Sequence, residues 1–193
     1  MKIITVTDAW HPQVNGVVRT IEATNRELER GGHATTVIGP PSFHSLPCPG
    51  YREIRLSLLP YRRLGRLLRE EIGTRRDAAI HIATEGPLGN AARRYCRAHG
   101  LPYTTAYHTR FPQYLRAMFG VPERWTYAFL RHFHGPASVV MAPTPTVVRE
   151  LHENGLRHVQ LWTRGVDLDA FVPREPLFTD VRRPVFLYVG RVS

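Results

Sequence analysis

The chain has 193 residues, 42% of them hydrophobic and 22% charged, with a mean hydropathy of −0.27; this excludes a disordered tail, a collagen-like fibre and a disulfide miniprotein. A chain of this length buries roughly 70% of the surface its unfolded form exposes, and no apolar run approaches the ~20 residues of a membrane-crossing helix. The formal charge is +10 and 25 of the 26 basic residues are arginine, so these residues hold neither a Walker-type phosphate lysine nor a Schiff-base lysine, while anionic partners such as phosphates or acidic lipid surfaces are favoured.

Lys2–Thr7 is rich in β-branched residues and suits a buried strand. The following loop, Asp8–Gly16, carries Pro12, Asn15 and Gly16. Beyond it Val17, Val18, Ile21 and Leu28 fall on one face of a helix that ends at Gly31-Gly32. A second strand is predicted at Thr35–Ile38, then a proline-rich loop through Gly50 and a weak strand at Glu53–Leu58. Arg62–Ile72 reads as a basic helix, with Leu64, Leu67, Leu68 and Ile72 at helical spacing and Arg62, Arg63, Arg66 and Arg69 supplying the charge. Such a helix suits an anionic membrane surface; equally, its leucines can face a core while the arginines stay in water.

Strands at Ala78–Ala83, Pro102–Tyr107, Ser138–Ala142 and His158–Leu161 alternate with helices at Pro87–His99, Tyr114–Phe119, Glu123–His134 and Thr144–Glu153. This alternation predicts a doubly wound, Rossmann-like α/β domain with a parallel sheet covered on both faces. Phe171–Pro184 reads as a linker and Pro184–Val189 as another apolar strand, interrupted at Gly190-Arg191-Val192-Ser193. The expected organisation is a domain over 1–170, a linker over 171–184 and the start of a second, missing domain over 185–193. The opening residues are too short and too soon acidic for a signal peptide, and Cys48 and Cys96 match no metal spacing, which together suit a cytosolic protein.

In open parallel sheets ligands sit beyond the carboxyl ends of the strands, and the first strand-to-helix turn commonly meets an anion. Asn15-Gly16-Val17-Val18 opens a helix at that point, where Gly16 lets the backbone approach and the helix N-terminus adds partial positive charge. An ordinary turn glycine is the alternative, and the G-x-G-x-x-G dinucleotide fingerprint is absent.

The stretch Thr7-Asp8-Ala9-Trp10-His11-Pro12-Gln13-Val14-Asn15-Gly16-Val17-Val18-Arg19-Thr20 resembles the opening motif of retaining family 4 glycosyltransferases of the GT-B fold. Glu85-Gly86-Pro87-Leu88-Gly89, Tyr107-His108-Thr109-Arg110-Phe111-Pro112 and Arg164-Gly165-Val166-Asp167-Leu168-Asp169-Ala170-Phe171 follow in the family's order. Phe186-Leu187-Tyr188-Val189-Gly190-Arg191-Val192 is similar to the first strand and turn of its nucleotide-binding domain. The likeness is closest to the branch of sulfoquinovosyl-diacylglycerol synthases and lipid-directed mannosyl- and glucuronosyltransferases.

The resemblance implies transfer from a nucleotide sugar to a lipid or glycolipid acceptor, with retention and without a cofactor or bound metal. It implies that Gly16, with Asn15, and Arg191 face the donor diphosphate, and that His108 lies near the donor sugar as the catalytic candidate. The family's E-x7-E site lies beyond Ser193, so this fragment is expected to be inactive alone, and its setting is the cytoplasmic membrane face. Relatives dock on membranes through the region of the basic helix. Asp8, Glu85 and Arg164 remain open: Glu85 either bonds acceptor hydroxyls or caps the helix near Pro87, and Arg164 is one arginine among many that can meet phosphate. Asp167-Leu168-Asp169 spells D-x-D but sits within a GT-B motif, and His132-Phe133-His134 lacks the i, i+4 spacing of a helical zinc pair; no metal site is expected. The competing reading is a non-catalytic basic module for nucleic acid or nucleotide, which has the charge but no recognisable nucleic-acid motif.

Overall fold

A computed structural model describes residues 1–48, 51–75, 77–108, 110–168, 171–173, 182 and 184–189. The first strand, β1 (Lys2–Val6), sits inside a six-stranded sheet. Its neighbours are β2 (Ala34–Ile38) on one side and β5 (Ala78–Ile82) on the other, followed by β6 (Tyr103–Ala106), β7 (Val139–Ala142) and β8 (Val159–Leu161). Every pairing is parallel. The order β2-β1-β5-β6-β7-β8 is that of a doubly wound, Rossmann-like α/β fold.

Alternation along each strand divides the sheet's two faces. Ile4, Val6, Ile80, Ile82 and Val140 enter one continuous core with Leu64 and Leu68 of α2 (Tyr61–Ile72), Leu88, Ala92 and Cys96 of α3 (Pro87–Ala98), Leu130 and Phe133 of α5 (Glu123–His134), and Leu151 of α6 (Pro145–Glu153). The opposite face carries α1 (Gly16–Arg30) over Ile3 and Thr5. Between α1 and the middle strands lies a cavity of about 330 Å³, lined by Ile21, Leu28, His81, Thr104, Met141 and Trp162 among others.

Helix starts follow local chemistry. Asn15 caps α1, its Oδ1 accepting from the Val17 and Val18 amides at 2.9 and 3.1 Å. Thr144 caps α6, with Pro145 at its first position. Proline also moves a boundary: α4 (Phe111–Phe119) begins three residues before the predicted Tyr114 because Pro112 fits its first turn.

Two segments differ from expectation. The proline-rich stretch contains an unexpected strand, β3 (Ser45–Cys48), which pairs antiparallel with β4 (Tyr51–Ser57), the strand expected at Glu53–Leu58, apart from the main sheet. Prolines are tolerated there because an edge strand has an unpaired side. Pro184–Val189, expected as a strand, is not one in the structure, and its apolar side chains are turned outward, with Phe186 90% and Leu187 84% exposed. An apolar run becomes a strand only where a sheet edge receives it.

Candidate functional site

Three chain segments meet at the carboxyl end of the sheet. The turn after β1 delivers Gly16 at the start of α1, the segment after β6 delivers His108, and the segment after β8 delivers Trp162 and Arg164. Arg164 joins the other two. Its Nη2 lies 3.2 Å from His108 Nδ1, and its Nη1 lies 3.7 Å from where a Cβ on Gly16 would stand. A guanidinium is thereby placed beside the first turn of a helix, where the dipole also favours an anion.

The His108 imidazole packs near Trp162, ring centroids 6.3 Å apart, and Trp162 also neighbours His81 at 6.4 Å. His108 Nε2 is shut from solvent without a partner among the described residues. Burial, then the charge of Arg164 and the proximity of His81, lower the His108 pKa to about 4. His81, whose Nδ1 pairs with Thr104 Oγ1 at 2.9 Å, is also lowered to about 4, by burial. Both rings are neutral at pH 7.

Asn15 shapes the loop. Its oxygen caps α1 and its amide nitrogen donates to Gln13 Oε1 at 3.2 Å, so both ends of the side chain are engaged within the turn. Arg191 lies outside the described residues, as do Gly190, Thr109, Asp169 and Ala170 of the flanking motifs.

The structure gives Asp8 an internal partner. Its carboxylate accepts from the amides of Leu88 at 2.8 Å and Gly89 at 3.2 Å and from Thr84 Oγ1 at 2.9 Å. Asp8 is therefore the N-cap of α3, supplied across 80 residues of sequence, where Gly86 at the cap position has no side chain to offer. Burial raises its pKa, against the opposing hydrogen bonds from Leu88, Thr84 and Gly89. The two glycines make room for this contact: a Cβ on Gly86 would stand 2.4 Å from Asp8 Cγ, and one on Gly89 would stand 1.8 Å from the Thr84 carbonyl oxygen.

Asp8 thus displaces Glu85 from the capping role left open in the sequence. The Glu85 side chain, 7% exposed, points to His134 Nε2 at 3.3 Å instead, and His134 Nδ1 pairs with Thr105 Oγ1 at 2.9 Å. Beyond that pair, the Tyr107 hydroxyl is buried without a partner among the described residues, and burial pushes its pKa up.

One set of contacts has no signature in the sequence. Glu150 of α6 accepts from Arg110 at 2.5 Å, from Gln113 at 2.6 Å and from the Tyr127 hydroxyl at 2.6 Å. Burial pushes the Glu150 pKa up, but these bonds outweigh it and the net shift is downward. The cluster ties α4, α5 and α6 to the segment that begins with His108. Its members are separated by up to 40 residues, and Trp162 was likewise unmarked.

Arg62, Arg63, Arg66 and Arg69 are all exposed along α2, whereas Leu64 and Leu68 are fully buried against the core. The helix presents charge to solvent but no apolar face to insert.

With this geometry in place, comparison with known proteins identifies the class. The family model described as Glycosyltransferase Family 4 matches residues 14–170. The chain is 26% identical over its whole length to a GDP-mannose-dependent alpha-mannosyltransferase of Mycolicibacterium smegmatis, of which it covers 57%. It is 27% identical to a sulfoquinovosyl transferase of Arabidopsis thaliana, with 92% of this chain and 35% of that protein aligned. Identity is also 27% with an alpha-monoglucosyldiacylglycerol synthase of Streptococcus pneumoniae, over 78% of this chain and 37% of that one. The chain spans about half the length, or less, of these relatives.

Proposed function

The chain belongs to glycosyltransferase family 4, and from that premise we propose that the protein moves a hexose from a nucleotide-sugar donor to a lipid or glycolipid acceptor, with retention of configuration. The observation that carries this reading is the meeting of Gly16, His108 and Arg164 at the carboxyl ends of parallel strands. In a Rossmann-like sheet this edge is where ligands bind. The names of the relatives support both halves of the proposal, one naming GDP-mannose and another a diacylglycerol product.

Transfer from a sugar nucleotide builds negative charge on the departing diphosphate. Fixed N–H groups and arginines aimed at that charge stabilise the transition state without a metal. The backbone at Gly16 and the dipole of α1 would act on this side of the site, the Val17 and Val18 amides being committed to Asn15. Arg191 would supply a guanidinium from the following segment, and His108 lies where the donor sugar would sit. The chain covers 57% of a mannosyltransferase relative; in this proposal its residues supply one side of the donor site, and sugar turnover is proposed for the whole protein. The exposed arginines of α2 would hold that protein peripherally at an anionic inner membrane face.

The charge of +10 also suits a basic module for nucleic acid or nucleotide; the glycosyltransferase reading is the one that the family match supports. The test is an assay of the full-length protein with GDP-mannose and UDP-hexoses against diacylglycerol-containing vesicles, in the presence of EDTA. Product with the donor's anomeric configuration is expected. Inversion, dependence on added metal, or no transfer from any of these donors would refute the corresponding part of the proposal.

A further inference from the structure

We infer that Arg164 is a positioning residue that holds His108 with its proton on Nε2, so that the ring meets substrate as a hydrogen-bond donor and not as a base. The geometry is a single contact with one chemical solution. A guanidinium carries donors only and keeps its proton in proteins. With Arg164 Nη2 at 3.2 Å from His108 Nδ1, Nδ1 must present its lone pair. A neutral imidazole has one acceptor and one donor nitrogen, so the proton resides on Nε2.

A doubly protonated ring would set N–H against N–H and one positive charge against another. Burial, the Arg164 charge and His81 all act against that form. His81 does not compete for the ring, since its Nδ1 is committed to Thr104. The Nε2–H itself has no partner among the described residues and no solvent. A buried donor left unpaired is costly, and an oxygen of a bound ligand would satisfy it: a sugar hydroxyl or a diphosphate oxygen.

The part of this inference that concerns substrate rests on the glycosyltransferase reading above; the part that concerns the proton does not. Imidazole ¹⁵N spectra of the 193-residue chain, recorded without sugar nucleotide, separate the two. His108 is assigned by the signal lost in His108→Gln. The wild-type ring is expected to show a single Nε2–H tautomer and to stay neutral well below pH 6.5. In Arg164→Met its titration midpoint should rise, while that of His81, held low by burial alone, stays in place. A proton on Nδ1 in the wild type, or an unmoved His108 midpoint in Arg164→Met, would overturn the inference. So would a joint rise of both histidines, because the guanidinium would then be acting as packing. Failure here would leave the proposed sugar transfer standing, and absence of transfer in the enzymatic assay would leave the tautomer standing.

Discussion

Asp8 shows how one side chain can organise a site without touching a ligand. It closes the N-terminus of α3 with two amide bonds and a hydroxyl bond, and it stands at the head of the loop that ends in Gly16. Asp8→Ala leaves the Leu88 and Gly89 amides and the Thr84 hydroxyl buried without their acceptor. Each such group costs roughly 1–3 kcal/mol, so urea unfolding should show a loss of at least that size. Asp8→Asn keeps one acceptor oxygen and should lose less. The pH dependence has a definite sign. The folded-state pKa is raised by burial, so the native chain binds this proton more tightly than the unfolded chain does. Stability from this group is full below the ordinary carboxylate value and declines as pH rises through the raised one. Asp8→Asn should abolish that decline; a wild-type curve parallel to the Asn variant across this window would show that Asp8 does not titrate as described.

The same contact explains why part of the site was hidden in the sequence. Glu85-Gly86-Pro87-Leu88-Gly89 was visible as a motif, and helix-start rules made Glu85 a candidate cap. The partner that won lies 80 residues earlier, where only tertiary structure can find it. Periodicity and punctuation located β1, β5, β6 and the helices α2, α3, α5 and α6 because their apolar faces all serve one core. They missed β3 because Pro47 masks a strand that pairs on one side only.

Two predictions belong to individual elements. Helix propensity favours alanine over glycine by about 1 kcal/mol, yet Gly89→Ala within α3 should destabilise, because its Cβ would fall 1.8 Å from a backbone oxygen that cannot swing away. A loss of about 1–3 kcal/mol is expected from overpacking, and a gain in melting temperature would contradict the close approach. In α2, replacing Arg62, Arg63, Arg66 and Arg69 with glutamine should leave stability nearly unchanged, since all four are exposed. Binding to anionic vesicles should fall by roughly 4 kcal/mol, at about 1 kcal/mol per basic residue. Because Leu64 and Leu68 are occupied in the core, vesicle binding should be lost in high salt and absent on neutral lipid; salt-resistant binding would require an apolar element other than α2.

At the scale of the whole molecule, the described residues form a finished sheet and core with one unfinished feature. Val185–Val189 is a run of five apolar residues, each at least half exposed. Such a segment has high β-propensity and no charge, the pattern that pairs with any available edge. The sequence pattern predicts a strand at Pro184–Val189, but the structure forms none there, because a strand needs a paired edge as well as apolar residues. The segment also adds little to the stability of the core, since all five of its apolar side chains are at least half exposed. Replacing Phe186, Leu187 and Tyr188 with serine or asparagine should therefore leave the unfolding midpoint of this chain in place while reducing its concentration-dependent association in sedimentation velocity. A drop in stability would mean that the segment packs on the domain in solution, and unchanged association would move the sticky surface elsewhere.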